Sequence, residues 1–82
     1  SNALVQLQKT GEQEVIAAGQ VKTLQLAVAN AQLLFKSDMA NYLEVITAQS
    51  NSLQSELALA NIKLAHLNAV TELYRAVGGG WK

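Results

Sequence analysis

The side chains of this sequence that titrate or bind metals are few and scattered. The carboxylates are Glu12, Glu14, Asp38, Glu44, Glu56 and Glu72; His66 is the single histidine, and there is no cysteine. Acid–base catalysis needs two groups held around one reacting bond, and covalent catalysis needs a nucleophile with a base beside it. No two carboxylates here are spaced to work with a nucleophile, and no glycine-rich phosphate loop is present. A structural or catalytic metal site takes several His, Cys or carboxylate ligands, and His66 has no second histidine or cysteine to join it. The sequence therefore offers no catalytic residue, no metal site and no cofactor site. His66 reads as a packed seam residue, and Tyr74 as a ring that packs while its hydroxyl meets water. Such residues can serve assembly rather than chemistry, so attention passes to the elements that carry them.

The 82 residues include no proline, as long unbroken helices require, because proline removes an amide donor and clashes with the preceding turn. Half of the chain is apolar, rich in Ala, Leu and Val and poor in aromatics. That composition suits close helix–helix seams better than a compact core of large side chains. The formal charge is zero, which argues against nucleic acid or an anionic membrane surface as a partner. A peripheral membrane helix is further disfavoured because no face gathers Lys and Arg. No run of about eighteen apolar residues exists, so no helix is expected to span a bilayer. The opening Ser1-Asn2-Ala3 looks like the remnant of a removed expression tag, with the rest an excised piece of a longer protein.

Two helical arms are expected, at about 4–36 and about 42–77, joined by a turn at about 37–41. In the first arm Ala17, Val21, Leu24, Val28, Ala31 and Phe35 recur in steps of four and three, the period of a coiled-coil seam. Gly11 and Gly19 interrupt it; each either weakens the helix locally or lets a neighbouring helix backbone come close. In the second arm one seam runs Leu43, Ile46, Ser50, Leu53, Leu57, Ala60, Leu64, Leu67, Thr71, Tyr74. A second, shifted by two positions, runs Val45, Ala48, Ser52, Ser55, Leu59, Ile62, His66, Ala69, Leu73, Ala76. Read as adjacent, these seams let one helix pack against two neighbours at once, as in a ring or barrel of helices. Glycines 78–80 are expected to stop the helix, leaving 78–82 as a tail.

The turn has its own signature. Periodicity fails at Lys36-Ser37-Asp38-Met39-Ala40, where Asp38 is the residue best able to take a positive φ. Asn41 is a good N-cap, and Glu44 stands three residues on, able to reach back to the Asn41 amide as in a capping box. Glu44 also places negative charge at the positive pole of the second helix.

The run FKSDMANYLEVITAQSNSLQSELALANIKLAHLNAVTELYRAVGGGW resembles the C-terminal hairpin of the TolC-like outer-membrane factors of bacterial efflux pumps. The likeness rests on Phe35, on Tyr42-Leu43-Glu44-Val45, on Ala48-Gln49, and on Tyr74-Arg75-Ala76 followed by Gly78-Gly79-Gly80-Trp81. It covers residues 32–81, and the first arm shares only helical character and register. The resemblance implies an all-α fold, an antiparallel two-helix coiled-coil hairpin forming a piece of a periplasmic α-barrel, with residues 4–77 as the hairpin. It implies a homotrimer in the bacterial outer membrane with this segment in the periplasm, serving multidrug efflux. Lys36, Ser37, Asp38, Met39, Ala40 and Asn41 would dock a periplasmic adaptor protein that links the channel to an inner-membrane transporter. Glu44 and Thr47 would line the channel entrance. Three departures bear on this. Asp38 stands where the family usually has glycine, Thr47 where an aspartate is common, and Phe35 where some members have a tyrosine whose hydroxyl could latch a closed state.

The competing reading is a stand-alone antiparallel coiled-coil interaction module. On either reading the unpaired seams should drive the chain to self-associate into a helical bundle. The alternative conformation is one long helix with the turn opened, which the capping residues at Asn41 oppose.

Overall fold

The structure is a computed structural model that describes residues 2–78. It is an all-α antiparallel hairpin of two helices, α1 (Asn2–Lys36) and α2 (Tyr42–Gly78). The Cα positions extend 66 × 14 × 14 Å, so the molecule is a rod two helices wide. Both helices are free of proline and rich in Ala and Leu, the strongest helix formers. α1 starts two residues earlier than the pattern suggests, and Gly78 is the last residue of α2 rather than its stop. Ser1, Gly79, Gly80, Trp81 and Lys82 lie outside the described residues, so of the expected segments 1–3 and 78–82 only Asn2, Ala3 and Gly78 are described, all three as helix.

The helices meet along one heptad seam each. On α1 the residues turned inward are Leu7, Thr10, Glu14, Ala17, Val21, Leu24, Val28 and Ala31, all buried or half-buried. This continues the expected seam back by about three turns, while Phe35, its expected end, is exposed. On α2 the inward seam is the second of the two, from Val45 and Ala48 through Ser52, Ser55, Leu59, Ile62, His66 and Ala69 to Leu73; Ala76 is exposed. The most buried residues are small or polar: Thr10, Ala17, Val45, Ser52 and Ala69.

The other seam of α2 points into solvent. Leu43, Leu53, Leu57, Leu64 and Leu67 are each more than half exposed, and Tyr74 is 79% exposed. This corrects the expectation that the two seams are adjacent. A shift of two positions on an α-helix turns about 200°, so the seams lie about 160° apart the short way, on nearly opposite faces. The polar residues Glu44, Thr47, Asn51, Gln54, Asn61 and Asn68 fill one flank between them and are exposed.

One polar pair crosses the buried seam. His66 Nδ1 lies 2.8 Å from Thr10 Oγ1, and the same hydroxyl lies 2.7 Å from the carbonyl of Gln6. A hydroxyl has one proton to give. With that proton on Gln6 O, the imidazole Nδ1–H donates to Thr10, and both contacts are satisfied. His66 is thus the packed seam residue expected of it. Gly11 lies under its ring: a methyl there would come 3.5 Å from His66 Cε1. The approach at Gly11 is therefore by a side chain and not by a backbone, whereas the space around Gly19 is open. A second cross-helix contact runs at the surface, where Gln25 Nε2 donates to Glu56 Oε2 at 3.3 Å.

Thr10→Val keeps the shape of the side chain and removes the hydroxyl, leaving His66 Nδ1 without its seam partner. The hairpin is expected to lose about 1 kcal/mol, read by urea denaturation at one fixed chain concentration.

Candidate functional site

The hairpin tip is built by a helix stop and a helix start placed back to back. α1 ends because Asp38 takes φ 59°, the left-handed region that cannot continue a right-handed helix. Its amide and the next one fold back onto α1: Asp38 N–H donates to Phe35 O at 3.0 Å, and Met39 N–H to Leu34 O at 2.8 Å. These two bonds form a Schellman motif, which satisfies carbonyls that a helix end would otherwise leave open. Ser37 N–H is shared between Leu33 O and Leu34 O, both at 3.2 Å, and Ser37 Oγ also donates to Leu33 O at 3.1 Å. Glycine is the usual residue at the left-handed position. Aspartate, with its short polar side chain, takes it at some cost in backbone strain.

α2 starts with the reciprocal cap that its sequence suggests. Glu44 N–H donates to Asn41 Oδ1 at 3.0 Å, and Asn41 N–H donates to Glu44 Oε2 at 3.4 Å. Across the reversal the rings of Phe35 and Tyr42 stand 5.6 Å apart, tilted by 56°. Such a tilted pair contributes roughly 0.5–1.5 kcal/mol beyond its buried area. It ties the last turn of α1 to the first residue of α2. The sequence reading did not find this contact, although two aromatics flanking a short reversal are its natural signal.

The structure gathers Lys36, Ser37, Asp38, Met39, Ala40 and Asn41 at one end of the rod. All are exposed except Ala40, which is half-buried. Met39, an apolar side chain, is 76% exposed at the apex. Glu44 and Thr47 lie just behind the tip on the polar flank of α2 and are exposed. Glu44 is thus committed to the cap while still facing solvent. Among the described residues no cluster of His, Cys, Asp or Glu is arranged to hold a metal ion. The tip presents an exposed surface flanked by an open groove lined by Gln32, Phe35, Lys36, Tyr42, Val45 and Gln49.

Over 51 residues, 62% of its length, the chain is 37% identical to a solvent efflux pump outer membrane protein from Pseudomonas putida. It is similar to the same extent to a toluene efflux pump outer membrane protein from a strain of the same species. These curated relatives are outer-membrane components of efflux pumps, and the likeness supports a relation of this chain to such proteins. The chain spans about 11% of the length of each. No family model matches the chain, and no solved structure matches it significantly.

Asn41→Ala removes the cap acceptor and is expected to cost about 1 kcal/mol of hairpin stability. Asp38→Gly relieves the left-handed strain and is expected to raise it by up to about 1 kcal/mol. Thermal unfolding of the two variants beside the parent, followed by circular dichroism, should therefore move the midpoint in opposite directions.

Proposed function

We propose that the chain is a periplasmic α-barrel segment of a trimeric outer-membrane efflux channel, with its turn docking a periplasmic adaptor protein and gating the channel entrance. The observation that carries this reading is the placement of the two seams of α2 on nearly opposite faces. A helix with one apolar face is satisfied by one partner. A helix with two opposed apolar faces belongs in a row, with a neighbour on each side. Because the faces fall short of a straight line by about 20°, such a row curves gently. It closes on itself with on the order of a dozen or more helices, many more than one hairpin supplies, so several chains must contribute. The remaining flanks of α2 are polar, which suits one surface turned to a water-filled channel and another to the periplasm.

No helix among the described residues is long and apolar enough to cross a membrane. In this reading the hairpin stands away from the bilayer, and the membrane-embedded part belongs to the rest of the full-length protein. The relation to outer-membrane efflux proteins supports the same placement. At the tip, exposed Met39 offers apolar surface to the adaptor, and Lys36 and Asp38 offer charge. Glu44 then puts a carboxylate ring at the entrance, one per copy, with Thr47 as an uncharged second tier.

The test is made in the full-length channel protein. Met39→Glu and Ala40→Trp alter the apex without touching either seam. The host is expected to lose resistance to the exported compounds while trimers still assemble, as judged by chemical cross-linking. Unchanged resistance in both variants would overturn the docking role.

A further inference from the structure

The outward seam of α2, from Leu43 to Tyr74, contains no charged residue. The corresponding face of α1 is broken by Gln8, Glu12 and Lys22. The α2 seam is therefore the better-formed of the two outward faces, about 48 Å long at 1.5 Å per residue. Along one of its rims run Gln49, Glu56, Lys63 and Val70, each seven residues from the next, so that Glu56 and Lys63 are the only charges among them. Both charged side chains are exposed, and Gln25 of the chain's own α1 holds the Glu56 carboxylate at that rim.

We propose that this face binds the same face of a second copy, the two α2 helices running antiparallel about a two-fold axis level with residues 58–59. Steric fit and charge select this arrangement independently. In an antiparallel pair of seams, a residue that opens a three-residue step meets one that closes such a step. With the axis between residues 58 and 59 every seam position finds a partner, and the small residues meet large ones. Ser50 faces Leu67 of the second copy, Thr71 faces Ile46, and Ala60 faces Leu57. Parallel pairing would instead stack Ser50 on Ser50, Ala60 on Ala60 and Thr71 on Thr71, leaving gaps at three levels.

Charge gives the same register. With the axis at 58–59, Glu56 stands beside Lys63 of the second copy, and the two-fold repeats the pair. Sliding one helix by a heptad in either direction brings Glu56 against Glu56 or Lys63 against Lys63. The interface is self-complementary, as a two-fold contact must be. Its occupant in the free chain is another copy, whereas in a barrel wall a neighbouring hairpin would take the same face. The proposal rests on the outward seam and not on the efflux reading, which is tested separately at the tip of the full-length protein.

Sedimentation of the 82-residue chain in low salt at about 100 μM is expected to give twice the chain mass of 8.8 kDa. Glu56→Lys and Lys63→Glu each turn two symmetry-related attractions into repulsions and are expected to weaken the dimer by about tenfold. The double variant Glu56→Lys/Lys63→Glu again sets unlike charges face to face, and its dissociation constant should return to within about threefold of the parent's. Because both positions are exposed, helicity by circular dichroism should stay the same throughout. A monomeric parent, single variants that associate like the parent, or a double variant as weak as the two changes combined would each overturn the arrangement.

Discussion

The shape of this hairpin follows from how little its own seam can bury. The most buried residues of α1 and α2 are Ala17, Val45, Ser52, Ala69 and Thr10, and none of the described side chains is fully enclosed. Apolar burial is worth about 25 cal/mol per Å², so a seam whose most buried members are this small contributes little for each residue it orders. A further set of leucines, Leu43, Leu53, Leu57, Leu64 and Leu67, lies more than half exposed on the far side of α2. The larger inward residues, Leu7, Leu24, Leu59, Ile62 and Leu73, are only half-buried, so the two helices enclose little between them. Within the hairpin the leucine seam of α2 stays exposed along its length.

Polar contacts offset the weak seam by fixing where the helices sit. A seam of small and aliphatic residues repeating every heptad can slide by a heptad at modest cost, so apolar packing alone specifies register poorly. The Thr10–His66 hydrogen bond and the space over Gly11 that receives the imidazole exist in one register only. The surface contact from Gln25 to Glu56 adds a second point of reference. A buried polar group with a satisfied partner costs some stability relative to packed hydrocarbon, and fixing register is its best-attested use.

Much of this was legible in the sequence because it is encoded locally. The stop at Asp38 and the start at Asn41 depend on residues within one helical turn, and both the positive φ and the reciprocal cap fall where the residue types place them. The two seams of α2 were legible as periodicities. Which of them faces α1 was not, because the leucine seam is the more apolar, and hydrophobicity ranks it first. Steric fit decides otherwise. The inward seam of α2 interleaves Ala48, Ser52, Ser55 and Ala69 with its larger residues, which lets α1 approach at those levels. The angle between the seams was within reach from helix geometry, since a shift of two positions is more than half a turn. The Phe35–Tyr42 and Thr10–His66 contacts depend on the three-dimensional register of the hairpin, which spacing along the chain does not contain.

The reversal at Asp38 also sets the order in which the rod closes. Phe35 and Tyr42 are seven residues apart, whereas Thr10 and His66 are separated by 56. Bringing two points of a flexible chain together costs more entropy as the segment between them lengthens, although each tier that has closed shortens the next loop. On these grounds the arms zip from the reversal toward the far end of the rod, the short-range contacts forming first. Opening runs the other way. The two helices part last at the reversal, the end of the rod that holds both helix caps.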